Sequence, residues 1–293
     1  MRAGRASAVS ITLPAGPHPN GPASATLGQM VDLHHHLLPG LDDGSPDLAT
    51  SVQMARMAAA EGITHIVCTP HANSRFNFNP HRNILLLAEL RRALDDANIH
   101  LTLGLGCDFH LNYDNVQDAL QHPTRYTINE HEYLLVELPD FSISPNLQET
   151  FYELRLAGMM PILTHPERNS TLQRDPDRMI PWLRDGLLCQ VTAASIVGEM
   201  GRAAEKLALR MLTSRWVHFV ATDAHNTTGR SPRMRDAYDL VVKRFGTEYA
   251  DQIFYQNPRA AFEGNLLVEH DMLGLDAEHQ VNLPSWWQRL LRM

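Results

Sequence analysis

The sequence predicts an α/β fold built on a parallel sheet, open or closed. Two observations predict it. Short aliphatic or β-branched runs alternate with longer stretches whose apolar residues recur three or four apart, the pattern of strand followed by helix. Polar loops joining strand to helix hold most of the paired imidazoles and carboxylates, and in parallel α/β folds chemistry gathers at the carboxyl ends of the strands. With 293 residues, 44% of them hydrophobic, the chain can bury one sizeable core.

The strands expected are Val31–His34, Ile63–Thr69, His100–Leu105, Tyr133–Leu138, Met160–Thr164, Leu188–Thr192 and Val217–Thr222. Between them the spacing predicts helices over Pro46–Glu61, Pro80–Ala97, Asn146–Leu156, Asp177–Arg184 and Ile196–Ser214. Pro46 suits a first helical turn with Ser45 as its cap, and Gly62 suits the stop. Residues 1–29 are rich in Ala, Gly, Ser and Pro, cannot bury enough apolar surface to offset ordering, and read as a disordered leader. Met30, directly before the first strand, is an alternative start. Residues 30–265 form the expected domain, and 266–293 a C-terminal tail in which Trp286, Trp287, Leu290 and Leu291 stand among arginines.

Composition excludes several functions. The formal net charge is −8, from 33 acidic and 25 basic residues, which disfavours coating a phosphate backbone. Lys206 and Lys243 are the only lysines and neither follows a glycine, so no phosphate-cradling GxxxxGK[ST] loop exists. Cys68, Cys107 and Cys189 include no CxxC pair and read as small buried residues, without a disulfide framework or structural zinc site. None has an arginine six positions on, as a cysteine phosphatase requires. The chain also lacks HExxH, a complete dinucleotide fingerprint and GxSxG. No apolar run reaches the ~18 residues of a membrane span, and no secretory signal is evident, so the expected location is the cytoplasm.

Histidine is the unusual entry, at 16 residues. His34 and His36 end the first strand two apart, so both face one side while His35 faces the other. His71 follows the second strand, Asp108 the third, Glu137 lies near the end of the fourth, and His165 follows the fifth. Asp223 and His225 follow the seventh, again two apart, and Asp43 lies in the Asp42-Asp43-Gly44 turn after the first strand. This is a ligand set for divalent zinc, manganese or iron, with more donors than one ion needs; two or three ions would lower the pKa of a bound water. Arg168 and Arg230, three residues past His165 and five past His225, suit a phosphate beside the cluster. His18, His81, His100, His122, His131, His218, His270 and His279 lack a partner at useful spacing.

Together these residues resemble the polymerase-and-histidinol-phosphatase (PHP) superfamily, and within it the metal-dependent bacterial tyrosine-protein phosphatases of the CpsB/CapC type. The resemblance runs from Met30 to about Gly264. Its marks are Asp32-Leu33-His34-His35-His36, Leu38-Pro39-Gly40-Leu41-Asp42-Asp43-Gly44 and Thr69-Pro70-His71. They continue through Thr164-His165-Pro166-Glu167-Arg168, Ala221-Thr222-Asp223-Ala224-His225-Asn226 and Asn257-Pro258-Arg259. The resemblance implies a distorted (β/α)7 barrel and a trinuclear site, usually active with manganese, with zinc, iron or cobalt as alternatives. His34, His36, Asp108 and Asp223 would hold one ion, Asp108, Glu137 and His165 a second, and Asp43, His71 and His225 a third. Arg168 and Arg230 would bind phosphate. The implied substrate is a phosphotyrosine protein, in particular a tyrosine autokinase or polysaccharide co-polymerase controlling capsule or exopolysaccharide biosynthesis. One departure is Asp108, where the family generally has Gly-x-Glu; another is His35, where it usually has serine. Rival expectations are the same chemistry on a small phosphomonoester such as histidinol phosphate, and a non-catalytic regulatory barrel. A nuclease role and a metal-dependent deacetylase fit less well, given the acidic chain and the paired arginines.

Overall fold

The computed structural model describes residues 29–139, 143–267 and 272. Apart from Gln29 and residues 266, 267 and 272, the expected leader and tail lie outside the described residues. The strands are β1 (Met30–His35), β2 (Ile63–Cys68), β3 (His71–Ala72), β4 (Thr102–Leu105), β5 (Asp108–His110), β6 (Tyr133–Glu137), β7 (Met160–Thr164), β8 (Leu188–Thr192) and β9 (Phe219–Ala221). They make two sheets, β1-β2-β4 and β3-β5-β6-β7-β8-β9, and every pairing is parallel.

The second and third strands each continue, past a break, into a short strand beyond the expected bounds, β3 after β2 and β5 after β4. Pro70 has no N–H to give a ladder, so pairing lapses after Cys68 and resumes at His71. Across the break, Gly106 N–H donates to the Cys68 carbonyl (2.9 Å) and Asp108 N–H to that of Pro70 (3.2 Å). The sheets therefore run as seven strands in sequence order. First and last meet at their carboxyl ends through one bridge, His35 with Ala224, and through Asp223 N–H to the His34 carbonyl and His36 N–H to that of Ala224. A side chain supplements this short seam. Buried Asp32 accepts from Thr222 N (2.9 Å) and Oγ1 (2.5 Å).

Helices follow the strands: α1 (Leu48–Glu61), α2 (Pro80–Asp96), α3 (Tyr113–Gln121), α4 (Leu147–Leu156), α5 (Ser170–Arg174), α6 (Ile180–Arg184), α7 (Ala193–Ile196), α8 (Arg202–Thr213), α9 (Arg235–Phe245), α10 (Thr247–Asp251) and α11 (Asn257–Glu263). Two expectations are corrected. The cap of α1 is Asp47, whose carboxylate accepts from Thr50 N at 2.8 Å, while Ser45 is buried and accepts from Ser51 Oγ at 2.9 Å. The helix expected over Ile196–Ser214 begins only at Arg202, as α8, while α7 ends at Ile196, because Gly198 and Gly201 take the left-handed φ values of 84° and 88° that interrupt a helix. Gly62 does stop α1, at φ 92°.

Alternate strand residues enter two apolar clusters. Leu134 and Val136 join Leu87, Leu90 and Leu154 of the helices. Tyr133 and Leu135 join Val31, Leu33, Ile162, Leu188, Phe219 and Ala261 of α11. On β6 the second series continues into Glu137, and on β8 Leu188 leads to Gln190, so apolar filling gives way to polar groups at the carboxyl ends. In β1 the same continuation needs a bulge. Between Asp32 and His35 the strand advances three residues while its partner advances two, from Ile66 to Cys68. The extra residue reverses the alternation, so His34 and His36 follow Val31 and Leu33 to the cluster side.

Candidate metal centre

At the carboxyl ends, the nine donors expected from the sequence come together in overlapping groups: His34, His36 and Asp108; His34, His165 and Asp223; His71, Asp108 and Glu137; and His36, Asp43, His71 and His225. Within each, the donor atoms lie inside 4.8 Å of one another. His34 Nε2 and His36 Nε2 are 3.3 Å apart, and each is 3.4 Å from Asp223 Oδ1. Asp108 Oδ2 lies 3.4 Å from His34 Nε2 and 3.1 Å from His71 Nδ1, so the short aspartate side chain still reaches two groups. Asp43 Oδ1 stands between His71 Nε2 (3.3 Å) and His225 Nε2 (3.5 Å). Glu137 faces His165 Nε2 at 3.7 Å and His71 Nδ1 at 3.9 Å. His165 thus stands with His34 and Asp223 as well as beside Glu137, a different grouping from the one the family resemblance implies.

The rings are oriented from behind. Gln190 Oε1 accepts from His34 Nδ1 (3.0 Å), Asp42 Oδ2 from His36 Nδ1 (2.8 Å), and the Asp223 carbonyl from His225 Nδ1 (2.9 Å). Each partner is an acceptor, so each Nδ1 carries a proton and Nε2 is the nitrogen turned toward the cluster. Asp42 and Gln190 were not among the expected site residues. Asp42 was visible only as part of a turn, and a lone glutamine in a strand gives no signal.

Electrostatics within the cluster are severe. Burial alone would lower the His34 pKa, but Asp108 and Asp223 outweigh it and lift it to about 9. Burial likewise opposes His71, and Asp108 and Asp43 raise it to about 11. Asp108 and Asp223 are held well below the usual carboxylate range, since the neighbouring imidazoles, and for Asp223 the two arginines, overcome their burial. Burial lowers His225 to about 4. Among the described residues, buried Asp108 Oδ1 and Oδ2, Asp223 Oδ1, His71 Nδ1 and His225 Nε2 have no hydrogen-bond partner. Buried polar atoms are normally satisfied, and nitrogen and oxygen atoms crowded together in this way are what cations between them would satisfy. The donor set, imidazole with carboxylate, fits divalent transition metals.

Arg168 and Arg230 converge on one atom, Asp223 Oδ2, the latter at 2.5 Å. Their side chains stay 30% exposed, so two guanidinium groups edge the cluster where an anion can reach them. The Arg168 turn is anchored by Glu167, which is fully buried: Oε1 accepts from Thr192 N (3.0 Å) and Ser195 Oγ (2.7 Å), and its carbonyl from Gln173 Nε2 (2.8 Å). His165 and Asp223 both adopt left-handed backbone, at φ 34° and 50°, conformations that cost energy outside glycine and that cluster at functional sites. Of the histidines set aside, His218 is structural, its Nδ1 accepting from Cys189 N at 3.1 Å. All three cysteines are buried, as expected. His110, passed over in the sequence, places Nδ1 3.5 Å from Glu137 Oε2. Among the described residues no helix is long and apolar enough to cross a membrane.

A parallel α/β fold with imidazoles, carboxylates and arginines gathered at its strand ends is the class to which metal-dependent hydrolases belong. The family described as "Capsular polysaccharide synthesis, CpsB/CapC" matches residues 30–263. This chain belongs to the CpsB/CapC family. It is 33% identical over 220 residues to the tyrosine-protein phosphatase YwqE of Bacillus subtilis, covering 75% of this chain and 86% of that protein. It is 25% identical over 247 residues to the tyrosine-protein phosphatase CpsB of Streptococcus pneumoniae, covering 81% of this chain and all of that one. Among solved structures it superposes on a chain from the work on YwqE of B. subtilis and CpsB of S. pneumoniae, described as unique metal-dependent tyrosine phosphatases. That match has a TM-score of 0.78 at 29% identity and covers 83% of this chain and 98% of the other. A phosphotriesterase homology protein from Escherichia coli, at 13% identity and TM-score 0.53, shares the fold.

Proposed function

We propose that this protein is a metal-dependent protein-tyrosine phosphatase that hydrolyses phosphotyrosine, with manganese as its resident metal. The observation that carries the reading is the convergence of nine donors in one cluster with two guanidinium groups on its edge. His34, His36, Asp43, His71, Asp108, Glu137, His165, Asp223 and His225 would hold the ions. Bound there, divalent cations supply hydroxide at neutral pH and Lewis acidity toward phosphoryl oxygen. Arg168 and Arg230 take the phosphoryl oxygens by charge-assisted hydrogen bonds and offset the charge that spreads over them in the transition state. Gln190 and Asp42 keep protons on His34 Nδ1 and His36 Nδ1, so the Nε2 atoms remain donors. The buried walls around His34, Asp108 and Asp223 keep bulk water from these charges.

The relatives' names and the family description support a more specific setting. The substrate is a tyrosine autokinase associated with polysaccharide export. The metal-loaded protein should hydrolyse an aryl phosphate and a phosphotyrosyl peptide, and a chelator should abolish both. A His34→Ala/Asp223→Ala double variant with full rate would overturn the mechanism. A higher kcat/KM on histidinol phosphate than on the phosphotyrosyl peptide would move the assignment to a small phosphomonoester. Purified protein that binds metal but has no aryl phosphatase activity would mark a regulatory barrel.

A further inference from the structure

We propose that Asp42 is a positioning residue that couples two parts of the metal centre, rather than a turn residue alone. Its Oδ2 accepts from His36 Nδ1 (2.8 Å) and from the His71 backbone N–H (3.0 Å). Its Oδ1 accepts from Gly44 N–H at 2.9 Å. One carboxylate, its side chain only 1% exposed, therefore touches three segments that deliver donors. It orients the His36 ring, which faces Asp223 and His34. It ties down the strand start that presents His71. It also closes the tight turn holding Asp43, which faces His71 and His225. His36 belongs both to the group with His34 and Asp108 and to the group with Asp43, His71 and His225, so the Asp42 contacts span both.

The neighbouring residues show why the pattern is Asp-Asp-Gly. The second aspartate supplies an outward donor, 46% exposed, while the first turns inward as the brace. Gly44 is required because a Cβ there would lie 2.4 Å from His36 Cβ and 2.5 Å from the His36 carbonyl oxygen. Ser45 N–H donates to that same carbonyl at 3.1 Å, pinning the turn against β1. Carboxylates behind a ligating imidazole fix its tautomer, and their loss costs metal affinity on the order of 10- to 100-fold.

The inference rests on reading the cluster as a metal site, and the experiment separates the two. Manganese is titrated calorimetrically into metal-free wild type, Asp42→Asn and Asp43→Asn proteins, with metal content measured after gel filtration. The amide in Asp42→Asn is nearly isosteric with the carboxylate, but its NH₂ must face one of the N–H groups from which Asp42 accepts. Asp42→Asn should weaken binding about 10- to 100-fold across the whole titration. Asp43→Asn should weaken only the part of it that His71 and His225 serve. Wild type that binds no manganese would refute the metal reading itself. Wild type that binds, with Asp42→Asn of equal affinity and stoichiometry, would overturn the role of Asp42 alone. If Asp42→Asn does not fold, the wild type still decides: histidine 15N NMR of the zinc-loaded protein should show His36 protonated at Nδ1, and protonation at Nε2 would overturn the proposal.

Discussion

Gly44 lies so close to β1 that any side chain there collides with His36 Cβ, so Gly44→Ala forces the turn away from the strand. Overpacking of this kind costs about 1–3 kcal/mol, and we expect that loss in urea unfolding, together with weaker metal binding. His35 presents a different case. It is fully buried, neither ring nitrogen has a hydrogen-bond partner among the described residues, and burial pushes its pKa down from 6.5 to about 3. The unfolded chain takes a proton near pH 6.5 and the folded chain only near 3, so the stability His35 contributes is complete above that upper value and drains away as pH falls between the two. His35→Leu removes this linkage, and its stability should fall less steeply across the same window in acid titrations of the metal-free protein. An unchanged slope would show that other groups govern acid unfolding.

Among the elements, strand ends and helix starts divide the labour. Strands set the donors side by side, and helix caps hold the loops between them. Asn79 begins α2, with Oδ1 accepting from Arg82 N at 3.1 Å and Pro80 in the first turn. Asn79→Ala should cost ~1 kcal/mol in stability and leave kcat/KM on an aryl phosphate unchanged, because the cap touches no donor. A fall in kcat/KM would mean that the loop before α2 reaches into the site. Elements with strong local signals were legible in the sequence: β7 and β8 begin and end where the aliphatic runs do, and α1, α2 and α4 follow the apolar spacing. Less legible were the helices α3, α9 and α11. α3 and α9 follow β5 and β9 in the strand-helix rhythm, but their buried faces are thin, Val116 and Ala119 in α3 and Ala237, Tyr238 and Val241 in α9, while α11 follows no strand and joins the second apolar cluster through Ala261. The breaks at Pro70 and at Gly198 to Gly201 depend on single residues that a run of favourable neighbours conceals.

For the protein taken entire, the cluster makes metal binding a protonic event. His34, lifted to about 9, and His71, lifted to about 11, hold protons at neutral pH in the metal-free protein. A cation must displace them, so binding releases protons and apparent affinity rises with pH. Calorimetric titration of manganese in buffers of different ionisation enthalpy should show that release, and equal heats in all buffers would contradict it. Binding to the folded state alone also stabilises it, so Tm should climb with manganese concentration and return to the metal-free value on chelation.

Local spacing along the chain was enough to read the alternation of strand and helix, the buried thiols, and which imidazoles and carboxylates stand at strand ends. How those groups meet was settled by packing. The bulge that turns His34 and His36 to the side of Val31 and Leu33 is a property of pairing between β1 and β2, not of either run alone. Gln190 reaches His34 across 156 residues and Asp42 reaches the backbone of His71 across 29, distances over which a sequence holds no period to read. Hydrogen bonds of that reach exist only once the strands have brought their ends together, which is why donors could be read from the chain while the braces behind them could not.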